Sequence, residues 1–258
     1  MSLLPAVAAD SAAEELAGLL PVHYVGAKLV SVVYRVDARD ADEAIGDSRV
    51  RAVRLPLDSA LLTVTWFHYP ESSIGAYEEL AVSVIATRAG PPRRLPLLRA
   101  LMGDAAVGGF VLHLPVTSEL ACRGGRELFG FPKTVQEIDI AWLPNTFVGS
   151  VHAGHARVLS MHVPLARGIP VHIGALSTFS VREGTLLAAR VSLRGGRAQL
   201  LPATNVSLDL AAPALPIART LRALVGRRRP LAVLQVSGFD AELGRATTVD
   251  APQWHPEP

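Results

Sequence analysis

GFVLHLPV, residues 109–116, places apolar side chains at neighbouring positions, whereas a strand with one wet face alternates apolar and polar residues. LAVLQV, residues 231–236, does the same. Strands buried on both faces imply a closed sheet, a barrel or cone, whose outside is wrapped by helices or by neighbouring subunits. Further runs rich in β-branched residues and bounded by Gly or Pro read as strands at 29–36, 61–67, 80–87, 146–153, 156–163, 174–181, 186–196 and 198–210, and the LAVLQV strand extends to 243. Helical spacing is confined to about 10–20, 38–45, 93–102 and 214–225. The expected fold class is therefore α+β, strongly β-dominated, with a few peripheral helices. No repeat or composition break divides the chain, so residues 1–258 read as one domain.

With half its 258 residues hydrophobic, the chain has ample material for a core. Its single cysteine, Cys122, excludes a disulfide framework and reads as a small core residue, which fits a reducing, cytoplasmic setting. The opening MSLLPAVAADSAAEELAGLL lacks a basic start and carries Asp10, Glu14 and Glu15, so it reads as an amphipathic helix rather than a signal peptide. No run reaches the roughly 18 to 20 apolar residues of a membrane span, so no membrane partner is expected. A net charge of +2 and 5% aromatic residues make a poor nucleic-acid binder, and Arg227-Arg228-Arg229 reads as a solvated run.

Phosphate-loop, dinucleotide and serine-hydrolase signatures are all missing. His152, His162 and His172 fall on one parity and His155 lies between them, but their spacing matches no zinc motif and they read as ordinary strand histidines; no metal is expected.

GRELFGFPKTV, residues 125–135, holds the chemistry. Of 25 basic residues only Lys28 and Lys133 are lysines. An amine attacks a carbonyl and forms a Schiff base, whereas a guanidinium stays protonated and does not. Gly124, Gly125 and Gly130 permit unusual backbone angles, and Pro132 biases Phe131 to an extended conformation, so the segment aims one side chain. Phe129 and Phe131 offer an apolar wall that disfavours an ammonium ion. The competing reading is a turn lysine that reaches out to solvent.

GRELFGFPKT (125–134) resembles the signature of the acetoacetate decarboxylase family, in which G-R-E, an aromatic spacer and P-K-K carry the Schiff-base lysine. IGAYEEL (74–80) resembles the family's G-x-Y-x-E stretch, and VVYRVDARDADEAI (32–45) its Y-R-T-D segment. The likeness runs in order over residues 20–165, with a looser match at 231–249. It implies a cone-shaped β-barrel, a buried lysine at its centre, a homo-oligomer and no external cofactor. It also implies a keto acid or other small carbonyl substrate, with Lys133 as nucleophile and Glu79 as proton-transfer group. Tyr77, Phe129 and Phe131 become candidate substrate-binding residues, with Arg126, Glu127 and Thr134 supporting the loop. Glu78 is an equally available carboxylate beside Glu79.

Two positions depart from that pattern. The family's second lysine is Thr134 here, so burial has to supply what a neighbouring cation would, since a lysine of ordinary basicity is neutral in only about one molecule in a few thousand at pH 7. The family's carboxylate-holding arginine falls on Ala27, one residue before Lys28. Lys28 is the candidate replacement in substrate binding; alternatively the one-residue offset turns it to the other face of its strand. The leading function is a Schiff-base carbon–carbon lyase, acting by decarboxylation or by aldol or dehydration chemistry. Its rivals are a catalytically silent relative serving as a binding or scaffold module, and a carrier of an apolar ligand.

Overall fold

In the computed structural model, residues 16–89, 106–211 and 215–249 are described. The helical pattern expected at 93–102 lies outside them, as does that at 10–20 up to residue 15. The chain runs through β1 (Val22–Asp37), α1 (Ala38–Ile45), β2 (Val50–Ala52), β3 (Ser59–Tyr69), β4 (Glu71–Ser72), β5 (Tyr77–Arg88) and β6 (Val107–Val116). Helix α2 (Glu119–Phe129) leads into β7 (Lys133–Val135), β8 (Glu137–Leu143), β9 (Thr146–Ala153), β10 (Ala156–Pro164), β11 (Ile169–Val171) and β12 (Ala175–Arg182). Then come β13 (Thr185–Leu201), β14 (Ser207–Leu210), α3 (Pro216–Leu224), β15 (Pro230–Leu243) and β16 (Thr247–Thr248).

Seven strands in the order β5-β3-β1-β15-β13-β12-β6 close into a barrel when β6 pairs back onto β5. Every pairing in the ring is antiparallel except β12–β6, where only Thr178–Gly109 and Phe179–Phe110 lie opposite each other. A second sheet, β14-β10-β9-β8, packs on the outside of the ring. Trp66 anchors it, lying 5.9 Å from the Phe147 ring and donating its indole N–H to Met161 Sδ at 3.3 Å.

This explains the doubly apolar strands. On β1, β3 and β5 one parity, with Val30, Val32, Trp66, Leu80 and Val82, faces the second sheet and helices α1 and α3 in one continuous core. A four-stranded sheet does not fit inside a seven-stranded barrel, so the opposite parity, with Ser31, Thr65, Glu79 and Ser83, lines the lumen. There Ser31 and Thr65 satisfy each other across the strands at 2.7 Å. The barrel is thus covered chiefly by a sheet of its own chain, which sequence patterning did not anticipate.

The helices follow local chemistry. Asp37 caps α1 by accepting from the amides of Arg39 and Asp40, and Gly46 ends it at φ 63°. Pro216 opens α3 at its first position, where no amide is needed. Helix α2 was not expected, because Gly124-Gly125 read as turn punctuation. Ser118 caps it through the Ala121 amide, and its buried residues Ala121, Cys122, Gly125 and Phe129 recur at helical spacing. Strand β13 also spans two expected strands, since Gly195 and Gly196, at φ 66° and 76°, bend it without ending it. No helix among the described residues is long and apolar enough to cross a membrane.

The parallel closure is the seam most sensitive to bulk. A Cβ on Gly108 would sit 2.6 Å from the Ser177 carbonyl oxygen, a backbone atom that cannot rotate aside. Gly108→Ala should therefore destabilise the fold by about 1–3 kcal/mol, read from the denaturant midpoint. An unchanged midpoint would show that the seam is looser than this geometry.

Candidate active site

One end of the barrel is formed by the start of β1 and β5 and by the ends of β3, β6 and β15, because adjacent strands run antiparallel. Helix α2 packs across this end. Its Ala121 and Cys122 belong to one apolar cluster with Tyr24, Leu29 and Val116, while Phe129 and Phe131 belong to another with Val111, Leu114 and Ala189.

The chain leaves α2 through Gly130, whose φ of 63° lets its amide return to the Arg126 carbonyl at 3.1 Å. The Lys133 amide then donates to the Phe131 carbonyl at 2.7 Å across Pro132, a tight turn that suits proline's fixed φ. Strand β7 begins at Lys133 and runs parallel to β6, with Lys133 opposite Leu114. Strand alternation sends the Lys133 side chain inward and the Thr134 side chain to solvent.

The Lys133 stem passes directly over α2 at Gly125. A Cβ on Gly125 would lie 2.4 Å from Lys133 Cδ, so this glycine provides room for the lysine. Of the three glycines expected to permit unusual backbone angles, only Gly130 adopts a positive φ.

Lys133 Nζ reaches Glu79 Oε2 at 2.6 Å, with both residues 7% exposed. Glu79 sits on β5 between Phe67 of β3 and Val116 of β6. Its neighbour Glu78 turns to the opposite face and pairs with His68 Nδ1 at 2.6 Å, so of the two carboxylates only Glu79 faces the lysine. Burial, offset by His68, raises the pKa of Glu78.

Three tyrosines surround the pair. Lys133 Nζ lies 5.6 Å from the centroid of the Tyr77 ring. Tyr77 Oη is 3.1 Å from Tyr24 Oη, and the Tyr69 ring packs 4.7 Å from that of Tyr77 and 4.4 Å from that of Tyr24. The Tyr69 hydroxyl interacts with the Glu79 carboxylate. Burial is the main cause that pushes all three phenols above their ordinary pKa, with the charge of Glu79 adding to it. They are neutral donors at any physiological pH. Phe129 and Phe131 stack with ring centroids 5.4 Å apart.

Lys133 and Tyr24, though not Glu79 or Tyr69, border a narrow cavity of about 30 Å³, lined otherwise chiefly by apolar residues such as Leu16, Val22, Ile74, Leu128 and Leu243. Lys133, Tyr77, Phe129 and Phe131 all line it. Among its described lining residues, Lys133 is the one cation.

Lys28 does not reach the cavity. Its neighbour Ala27 is the residue on that side, packed with Tyr24, Tyr69 and Tyr77. Lys28 lies on the outer parity, its ammonium 5.6 Å from the Trp142 ring centroid, in a surface groove with Asn145, Arg167 and Gln235. The substrate-binding assignment of Lys28 is therefore corrected, and the one-residue offset is the physical reason. Arg126 and Glu127 have exposed side chains and support the loop through their backbones: the Arg126 carbonyl accepts from Gly130, and the Glu127 carbonyl accepts from the Arg182 guanidinium. Tyr24 and Tyr69 escaped the sequence reading, for nothing local ties residues 24 and 69 to position 133. Tyr69 shares the parity of Phe67, whereas Tyr24 reaches the side of Leu29 only through the register shift between Tyr24 and Ala27, and both become a signal only once the pairing of β1, β3, β5 and β15 is known.

Residues 5–184 match the family model described as acetoacetate decarboxylase (ADC). No curated protein matches the chain by sequence. The structure is similar to that of an acetoacetate decarboxylase from Legionella pneumophila, at TM-score 0.66 and 17% identity, over 91% of this chain and 89% of that one. It also resembles the enduracididine biosynthesis enzyme MppR complexed with pyruvate, at TM-score 0.65 and 14% identity, over 90% of this chain and 91% of the other. An acetoacetate decarboxylase-like enzyme from Sphingomonas wittichii RW1 aligns at TM-score 0.62 and 16% identity, over 89% and 93% of the two chains. At such identities the structural likeness speaks for the fold.

Proposed function

The chain belongs to the acetoacetate decarboxylase family, and from that premise we propose that it is a Schiff-base enzyme in which Lys133 forms an iminium with a small carbonyl compound. The observation that carries this reading is the buried contact of Lys133 Nζ with Glu79 Oε2 at 2.6 Å beside an apolar cavity. The amine reacts in its neutral form, and Glu79, in contact with it, is the group placed to take the ammonium proton.

The amine adds to the carbonyl carbon, and the carbinolamine loses its hydroxyl as water with a proton returned from Glu79. The iminium nitrogen is then an electron sink. In a β-keto acid the bond to the carboxylate breaks, its electron pair forms the enamine, and carbon dioxide departs. In a β-hydroxy carbonyl compound Glu79 takes the hydroxyl proton and the α–β carbon bond breaks instead. The enamine is then protonated at carbon, by Glu79 where it holds the hydroxyl proton and by a proton taken up from solvent where carbon dioxide has left, and water hydrolyses the iminium, restoring the lysine. Every step is carried by groups of this chain, the substrate and water. The family's decarboxylation and the aldol-type alternative share this route as far as the iminium, and the product is a smaller carbonyl compound.

An enamine exchanges α-hydrogens, so the reading is testable before the substrate is known. In deuterium oxide the protein should speed deuterium uptake into the methyl groups of acetone, followed by proton NMR. Glu79→Gln should slow this uptake by about 10²–10⁴-fold, the usual contribution of a positioned acid or base. Uptake at the buffer rate in the wild-type protein would favour the silent relative, for which the closed ion pair is merely structural.

A further inference from the structure

Tyr24 and Tyr77 both line the cavity and share one hydrogen bond, Oη to Oη, at 3.1 Å. Two hydroxyls carry two protons, and a single bond between them uses one. Whichever tyrosine donates, the other keeps a proton with no acceptor in that pair, in a cavity whose remaining lining is almost wholly apolar. Tyr69 differs, since its hydroxyl is engaged with Glu79. Tyr77 also borders the reacting amine, its ring centroid 5.6 Å from Lys133 Nζ. A buried donor of this kind gains when a ligand brings an acceptor to it.

Charge points the same way. Lys133 and Glu79 balance each other, and an iminium, which keeps one positive charge, leaves the balance unchanged. A ligand carboxylate would add a negative charge among described lining residues that hold no second cation. A neutral oxygen needs only the phenol.

We propose that the Tyr24–Tyr77 hydroxyl pair orients the substrate by donating to a neutral oxygen on it, so that the cavity takes neutral hydroxy- or dicarbonyl compounds ahead of keto acid anions. This rests on the Schiff-base reading of Lys133 and narrows its substrate class. Tyr24 and Tyr77 are then specificity-determining residues; Tyr77 lies within IGAYEEL, whereas Tyr24 belongs to no motif in the sequence.

Three ligands of similar size separate the possibilities: 4-hydroxy-2-butanone, 2-butanone, which lacks the second oxygen, and acetoacetate, which carries a negative charge. Each is titrated against the full chain under borohydride, and the labelled fraction at Lys133 is read by peptide mass, normalised to labelling of free N-acetyl-lysine. Half-maximal labelling by the hydroxyketone is expected at about tenfold lower concentration than by 2-butanone, one hydrogen bond's worth, and below that for acetoacetate. In Tyr24→Phe/Tyr77→Phe the ratio between the two ketones should fall to about one. A wild-type ratio near one, a ratio that survives in the double variant, or acetoacetate labelling at the lowest concentration would each overturn the proposal while leaving Lys133 a Schiff-base residue. If none of the three labels Lys133, the Schiff-base reading falls and this inference with it. The wild-type comparison alone decides the case should the double variant fail to fold.

Discussion

Lys133→Arg is expected to reduce deuterium uptake into acetone to the rate of buffer alone, with the protein still folded. Arginine keeps a cation beside Glu79, so the buried carboxylate at 2.6 Å retains its partner. What it removes is the nucleophile, since a guanidinium does not deprotonate under these conditions and forms no iminium. Lys133→Ala should be equally inactive and also less stable, because it strands Glu79 at 7% exposure, and breaking a buried pair from one side costs about 3–5 kcal/mol. The two variants together separate chemistry from stability. Activity above one tenth of wild type in Lys133→Arg would mean that the charge, rather than the amine, is what the cavity needs.

The second large effect belongs to a residue with no chemistry of its own. Gly125→Ala sets a methyl group where Lys133 Cδ, Cε and Cγ now lie at 2.4, 2.6 and 3.2 Å from the new carbon. Helix α2 is fixed by its cap on Ser118 and by its buried Ala121, Cys122 and Phe129, so the lysine stem has to yield. An amine displaced by about 1 Å costs on the order of 10²-fold in rate, and the overpacking about 1–3 kcal/mol in stability. The deuterium assay and a denaturant melt read the two parts separately. If Gly125→Ala keeps full activity, the amine does not act from the position seen against Glu79.

Much of this architecture was legible in the residues. The doubly apolar GFVLHLPV and LAVLQV required a sheet covered on both faces, and they became β6 and β15 of a closed barrel. The match of GRELFGFPKT, IGAYEEL and VVYRVDARDADEAI to one family's signatures agrees with the family model over residues 5–184. Local chemistry misled where two meanings share one residue. Gly124-Gly125 suggested a turn, yet in the structure one of these glycines serves as space inside a helix, a role fixed by a lysine eight positions later in another element.

Long-range register was beyond reach. Whether residue 27 or 28 faces the lumen depends on how β1 pairs with β3, and that pairing turned the lysine outward toward Trp142. Tyr24 and Tyr69 likewise join Tyr77, the one of the three carried by a motif, only through three strands, so no local pattern announces them. The missing second lysine reads differently for the same reason. Thr134 faces solvent, so the apolar wall of Phe129 and Phe131 and the contact with Glu79 set the environment of the amine.

The central claim is a covalent bond at one nitrogen, and reductive trapping measures it. The protein is treated with borohydride in the presence of β-keto acids, pyruvate, simple aldehydes and small ketones, then examined by intact mass and peptide mapping. The account predicts a single stable adduct on Lys133, none on Lys28, and none in Lys133→Ala. A Lys133 peptide that stays unmodified across the whole panel would contradict it.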